Sequence, residues 1–315
     1  MMLSTPPAIL VDQPIKTWFG VGGVARRLAV PRTAAELREL IAAEPNAKIL
    51  GDGANLLVAD GGVQELVISL AGPGNGELAA SDLSAAAGAA VGDAVEVDAG
   101  AAVHLFRLIR STTDAALSGL ENLAGIPACI GGAAAMNAGG KYGSFGDYVV
   151  HVDAIDRRGS AVRLSREACG FGYRTSVFGH GELIVTGVRL RLVKGELAPV
   201  KAKLKEVTEY KTSTQPMSAS SAGCAFKNPT LKVAIEGIGA AGQRVSAGML
   251  IDRAGCKGMT IGTASVSEQH GNFLTASKEG KADDVLALIR AVRAKVAERF
   301  GVTLETEVVI WGAEL

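Results

Sequence analysis

The chain has 315 residues, 48% of them hydrophobic, and its 32 basic and 32 acidic side chains cancel to a formal charge of zero. That balance argues against nucleic acid or an anionic membrane surface as the main partner, and the length suffices for sizeable cores in roughly two or three domains. Cys129, Cys169, Cys224 and Cys256 are scattered, with no C-x-x-C pair and no histidine cluster, so neither a disulfide framework nor a metal site is favoured and a reducing cytoplasm is the natural setting.

The amino-terminal stretch up to Trp18 has no basic segment followed by an apolar core. No later apolar run approaches the roughly 18 residues of a membrane span, so nothing marks the chain for export. From there to about residue 195, short strand-like runs separated by glycine turns dominate, at 63–70, 94–98, 148–156 and 183–193. A helix is predicted at 102–115, and the Ala-rich stretch at 79–90 is the one low-complexity segment. Composition shifts to charge near Lys194, an exposed helix is predicted at 199–212, and a domain boundary falls between about 195 and 215. Residues 281–300 read as an amphipathic helix, with Val285, Leu288, Ile289, Val292, Val296 and Phe300 at helical spacing, followed by a strand at 302–311. The pattern is α+β, without regular βαβ alternation.

The richest motif is 118–147, SGLENLAGIPACIGGAAAMNAGGKYGSFGD. Glycine at this density permits turns with φ > 0 and leaves backbone N–H groups uncovered, the chemistry that cradles phosphates. A flexible linker would be polar, whereas Leu120, Leu123, Ile126, Ile130 and Met136 can anchor this run to a core. A second glycine turn, KILGDGANLL, lies at 48–57, and a third, TWFGVGGVA, at 17–25, together suggesting one ligand long enough to touch several loops. KVAIEGIGAAG at 232–242 contains a formal G-x-G-x-x-G, but without a surrounding βαβ pattern the preferred reading is a surface loop.

These residues carry a resemblance. The series Thr17…Gly22-Gly23-Val24-Ala25, Leu50-Gly51-Asp52-Gly53-Ala54-Asn55-Leu56-Leu57-Val58, Ser118-Gly119-Leu120-Glu121 and Gly125-Ile126-Pro127…Gly131-Gly132-Ala133…Met136-Asn137 is similar to the UDP-N-acetylenolpyruvoylglucosamine reductase (MurB) family. It continues through Gly172-Tyr173-Arg174-Thr175-Ser176, Ser221-Ala222-Gly223-Cys224-Ala225-Phe226-Lys227-Asn228-Pro229, His270-Gly271-Asn272-Phe273 and Glu307-Val308, in family order over nearly the whole chain.

The resemblance implies an α+β flavoprotein. Its two-part FAD-binding region, of the PCMH/VAO type, spans 1–193 and is completed by the strand at 302–312; a smaller substrate-binding domain spans 194–301. It implies reduction of FAD by NADPH, hydride transfer to C3 of the enolpyruvyl ether of UDP-N-acetylglucosamine enolpyruvate, and protonation at C2 to give UDP-N-acetylmuramate for peptidoglycan synthesis. The cofactor-binding positions are then Leu50, Gly51, Asp52, Gly53, Ala54, Asn55, Leu56, Ser118, Gly119, Gly125, Ile126, Pro127, Gly131, Gly132 and Asn137. Cys224 matches the proton donor and Arg174 the cation that holds the substrate carboxylate, while Glu307 matches the acid that polarises it. Tyr173, Gln215, Lys227, Asn228 and His270 match substrate-contacting positions, with Tyr210 and Lys211 bordering the same region. The expected partners are the two substrates, with no nucleic acid and no membrane, in a cytoplasmic monomer or weak homo-oligomer.

Three departures qualify the match. Val309 stands where the family carries an arginine, and on a strand it would share a face with Glu307, leaving that acid without a cation and its pKa raised. Asp52 and Ala54 replace a glycine and a serine, and Ala128-Cys129 replace glycine and a hydroxyl residue. The alternatives are a flavin- or nucleotide-binding relative without turnover, and an FAD oxidoreductase of the same fold acting on another substrate.

Overall fold

The structure is a computed structural model that describes residues 8–70, 81–82 and 93–315. Of the Ala-rich stretch at 79–90, only Ser81 and Asp82 fall within the described residues. Strands β1 (Ile9–Pro14) and β2 (Val24–Ala29) precede helix α1 (Ala34–Ala43). Strands β3 (Lys48–Leu50), β4 (Leu56–Val58) and β5 (Val63–Ser69) follow, and one sheet runs in the order β1-β2-β5-β3. Helix α1 begins at Thr33 because the Thr33 hydroxyl accepts the Glu36 N–H at 3.1 Å. The Glu36 carboxylate reaches back to accept the Arg32 backbone N–H at 2.7 Å and its guanidinium at 2.8 Å, a variant of the capping box. Those bonds to Arg32 hold buried Glu36 below the usual carboxylate range. Thr33→Ala should lower unfolding stability by about 1 kcal/mol in a urea titration, whereas Thr33→Ser keeps the cap and should leave the midpoint close to wild type.

The middle of the chain forms β6 (Ser81–Asp82), β7 (Ala94–Gly100), α2 (Leu105–Asp114), β8 (Leu117–Ser118), α3 (Ile130–Met136), β9 (Gly139–Gly140), β10 (Gly143–Ser144), β11 (Val149–Asp156), β12 (Ala161–Ser165) and β13 (Leu183–Lys194). An antiparallel sheet has the order β12-β11-β13-β7-β6. Its alternation is legible along β7: Val95, Val97 and Ala99 are buried, while Glu96 and Asp98 point the other way and pair with Arg191 at 2.9 Å and Arg189 at 2.6 Å. Last come α4 (Leu197–Thr214), α5 (Ala247–Arg253), the antiparallel β14 (Thr260–Ile261), β15 (Ala264–Val266) and β16 (Leu274–Ala276), then α6 (Ala282–Phe300) and β17 (Val309–Trp311).

The chain divides into two compact units. The first comprises 1–12, 27–52 and 65–211, with a core that includes Leu37, Ile41, Leu66, Val97, Leu105, Ile130, Phe145 and Leu190. The second comprises 13–26, 53–64 and 212–315, with a separate core that includes Phe19, Leu57, Phe226, Leu250, Val285, Leu288, Ile289 and Val292. The predicted apolar stripe of α6 is thus the heart of the second core. The α6 N-terminus is capped from a distance: the Asp60 carboxylate accepts the N–H groups of Ala282 at 3.0 Å and Asp283 at 3.2 Å.

Two expectations change. The strand predicted over 302–311 is reduced to β17, and Glu307 lies in a bend before it. The N–H groups of Glu307 and Val308 both turn to the Ala225 carbonyl, at 2.8 and 3.4 Å, which breaks the regular ladder. Glu307 and Val309 therefore do not stand in the two-residue alternation of one strand, and the side-chain argument built on it fails; Val309 itself is 42% exposed. The formal G-x-G-x-x-G at 237–242 lies in a loop of turns closed by the Thr230–Arg244 and Ile235–Gly239 bridges, as the sequence reading preferred.

Candidate active site

In the second unit, Cys224 and Glu307 are brought together through the backbone. Cys224 bridges Phe273 and Phe226 bridges Thr306, so the segment 224–226 lies between two others. The Ala225 carbonyl receives the Glu307 N–H at 2.8 Å, and the Lys227 N–H goes to the Glu305 carbonyl at 2.9 Å. Cys224 is half-buried and takes part in no disulfide. The buried Asn272 secures this arrangement: its side-chain oxygen accepts the Phe226 N–H at 3.0 Å, its NH2 donates to the Phe226 carbonyl at 2.7 Å, and its backbone carbonyl accepts the Ala225 N–H at 2.8 Å.

The first glycine loop ends in the same unit. Asn55 donates its side-chain NH2 to the Glu307 carbonyl at 3.0 Å, its own carbonyl accepts the Val309 N–H at 3.0 Å, and β4 continues in parallel register with β17 from Leu56–Val309 to Val58–Trp311. Asn55, predicted as a cofactor residue, therefore also fixes the backbone of the predicted acid. Gly53 has φ +65°, and a Cβ there would overlap the Lys16 carbonyl, so this turn requires glycine. Ala54 and Leu56 are buried.

The predicted substrate residues of this unit are held largely by fold contacts. Lys227 pairs with Glu305 at 3.6 Å, and the Asn228 side chain accepts the Ala247 N–H at 2.9 Å at the start of α5. Gln215 is half-buried just beyond α4, and its carbonyl accepts the Met217 N–H at 2.9 Å. His270 accepts the Asn272 N–H on Nδ1 at 3.2 Å and meets the Phe273 ring edge-on at 5.0 Å. Burial lowers the His270 pKa, partly offset by a bond to its own backbone and reinforced by Lys257. A histidine whose folded pKa is depressed loses its stabilising contribution as pH falls below the unfolded value of about 6.5. Wild type should therefore lose stability, relative to His270→Gln, between about pH 7 and pH 5 in paired urea titrations, the difference levelling off below the folded pKa.

In the first unit the glycine run 118–147 is anchored as predicted, with Leu120, Leu123 and Ile130 fully buried. Part of its backbone serves the fold. The buried Glu121 carboxylate accepts the Ser118 hydroxyl at 2.7 Å and the Gly119 N–H at 2.5 Å, and the Gly131 N–H goes to the Ala101 carbonyl at 2.9 Å. Asn137 adopts φ +43°, donates to the Gly172 carbonyl at 2.8 Å and accepts the Gly146 N–H at 2.8 Å. Gly125 takes φ +71°, Ile126 donates its N–H to Leu123, and Ile126 and Pro127 are half-buried. Gly132, by contrast, opens on space that a Cβ would enter without contact, and Gly51 meets only the Cys129 Cβ at 4.0 Å. A cluster absent from the sequence reading lies in this unit: Tyr142 meets Tyr210 edge-on at 5.7 Å, with Lys141 4.6 Å over Tyr210 and Lys203 4.4 Å over Tyr142. The cations are far apart in sequence, and no local spacing announces it.

Arg174 occupies the tip of a tight turn closed by the Gly172–Thr175 bridge, in the left-handed region at φ +54°. Few non-glycine residues adopt that conformation, and it costs of order 1 kcal/mol. The guanidinium donates to the Gly139 carbonyl at 2.8 Å and lies 5.4 Å from the Tyr173 ring centre. Below it, the Ser176 hydroxyl donates to the Ala135 carbonyl at 2.8 Å and accepts the Phe178 N–H at 3.2 Å, locking the turn to α3.

Open space at Gly132 and Gly51 fits loops that approach a diphosphate closely, so the residues present fit the FAD that the sequence implies. A family model for an FAD binding domain matches residues 25–165, and one for the UDP-N-acetylenolpyruvoylglucosamine reductase C-terminal domain matches 215–311. The reductase of that name from Desulfosudis oleivorans is 39% identical, with 96% of this chain and 94% of that protein covered. The chain belongs to the UDP-N-acetylenolpyruvoylglucosamine reductase family. The Bradyrhizobium sp. reductase is 38% identical over 93% of this chain and 88% of its own length. The crystal structure of the Thermus caldophilus reductase superposes with a TM-score of 0.78 at 37% identity, covering 96% of this chain and all of that one. As a member of this family the chain is an FAD-dependent, NADPH-dependent oxidoreductase with the expected α+β fold. Among the described residues no helix is long and apolar enough to cross a membrane.

Proposed function

We propose that the chain reduces UDP-N-acetylglucosamine enolpyruvate to UDP-N-acetylmuramate, with Cys224, Arg174 and Glu307 in the roles that the family pattern gives them. When bound, FAD supplies the hydride chemistry, drawing its electrons from NADPH. What falls to the protein is to hold the enolpyruvyl group, stabilise charge on its carboxylate and move one proton. The observation that carries the reading is that the Glu307 N–H bonds the Ala225 carbonyl while Asn272 ties Ala225 and Phe226, so the segments of Cys224 and Glu307 lie side by side.

The Cys224 Sγ–H donates the proton to C2; a thiol with an ordinary pKa of about 8.5 is protonated at neutral pH and a better acid than an alcohol. The Arg174 guanidinium pairs with the substrate carboxylate, and the strained turn and Tyr173 pre-position it. Glu307 polarises that carboxylate. Residues 50–56, 118–119, 125–127, 131–132 and Asn137 form the FAD region, and Tyr173, Gln215, Lys227, Asn228 and His270 meet the substrate. The FAD region is drawn at 1–193 with the 302–312 segment, the substrate domain at 194–301, in a cytoplasmic monomer or weak homo-oligomer that binds neither nucleic acid nor membrane.

Anaerobic stopped-flow absorbance tests the reading. The purified protein, reduced with NADPH and mixed with UDP-N-acetylglucosamine enolpyruvate, should regain its oxidised flavin band rapidly. A flavin that reduces but stays bleached would assign the chain another acceptor.

A further inference from the structure

The sequence spacing argues against a metal site, yet folding brings three ligating side chains together in the first unit. Asp52 follows β3, His104 precedes α2 and Cys129 precedes α3. A ligand atom of each lies within 4.8 Å of the other two, and His104 Nδ1 is 3.8 Å from Asp52 Oδ2. The backbones of His104 and Cys129 are fixed independently of any ligand. His104 and Cys129 form an antiparallel bridge, the Leu105 N–H bonds the Ala128 carbonyl at 2.9 Å and the Ile130 N–H bonds the Val103 carbonyl at 2.9 Å.

We propose that Asp52, His104 and Cys129 form a binding site for a borderline-soft divalent cation of the Zn2+ class, with one coordination position open. One carboxylate, one imidazole and one thiolate are the donor types that Zn2+ and Co2+ take, whereas Mg2+ and Ca2+ require oxygen donors. Donors held 2.0–2.3 Å from a tetrahedral ion stand about 3.3–3.6 Å apart, so the 3.8 Å His104–Asp52 separation, and the others, all within 4.8 Å, close with shifts of at most about 1.5 Å. Cys129 is buried while the His104 side chain is 42% exposed, so the imidazole meets solvent and the sulfur lies beneath the surface. Binding replaces the thiol proton, which leaves to solvent, with a metal–sulfur bond; no electron moves. Three protein donors with an open position resemble an exchangeable centre more than a closed structural one.

The probe is Co2+, titrated into purified protein both with its flavin bound and after flavin removal. One equivalent should bind in at least one form, giving a thiolate-to-cobalt charge-transfer band and d–d bands at longer wavelength than the flavin, and Zn2+ should abolish both. Cys129→Ser should lose the charge-transfer band, and His104→Ala should weaken binding by tenfold or more, with circular dichroism unchanged. The proposal is overturned if neither form shows the charge-transfer band, or if Cys129→Ser retains it, which would place the metal on another cysteine. Cys224→Ser should leave the band intact, which separates this result from any failure of the catalytic assignment.

Discussion

Cys224→Ala should slow reoxidation of the reduced flavin by enolpyruvyl substrate by about 10²- to 10⁴-fold, the usual worth of a positioned general acid, while reduction by NADPH stays close to wild type. The split arises because the proton enters only the second half-reaction. The backbone bridge from Cys224 to Phe273 uses no side-chain atom, so alanine should preserve the local fold. Cys224→Ser should fall between alanine and wild type, since a hydroxyl surrenders its proton less readily than a thiol. The three other cysteines make thiol chemistry selective. Cys129, Cys169 and Cys256 are buried, and burial pushes the first two to about 12 and about 11 and raises the third. A thiol reagent should therefore inactivate through half-buried Cys224. Equal reoxidation rates in Cys224→Ala and wild type would remove the donor assignment and leave the family identification standing.

Much of this architecture was legible because the signals are local and periodic. The stripe from Val285 to Phe300 specified α6 to within a residue, and the strand-like run at 94–98 marked β7, which extends to Gly100. Glycine turns placed the loops correctly. What the sequence could not show was how backbone groups are shared between distant segments. Glu307 looked like a strand residue, but two N–H groups converge on the Ala225 carbonyl and force a bend. The glycine run looked like a source of uncovered backbone donors, yet the Gly119 N–H is engaged by the Glu121 carboxylate and the Gly131 N–H by the Ala101 carbonyl. The Asp52–His104–Cys129 group joins residues from three distant segments, and no spacing rule finds it.

The same logic predicts that a residue with no reactive role carries the largest stability effect. Asn272→Ala should cost about 2–6 kcal/mol, because it leaves both the N–H and the carbonyl of fully buried Phe226 without their side-chain partner, at about 1–3 kcal/mol for each unpaired group. Against a typical total of about 5–15 kcal/mol, that loss should appear as a large fall in urea midpoint. Asn272→Asp keeps the acceptor for the Phe226 N–H but sets a carboxylate against the Phe226 carbonyl, so it should recover little. Activity should fall with stability, since Ala225 and Phe226 join Cys224 to the Glu307 segment and loosening them lets the donor and the acid drift apart. The two effects separate at low temperature, where the folded fraction of the variant should still reduce its flavin with NADPH yet reoxidise slowly. A variant within about 0.5 kcal/mol of wild type would mean that water replaces both bonds and that Asn272 is not the tie holding the two segments.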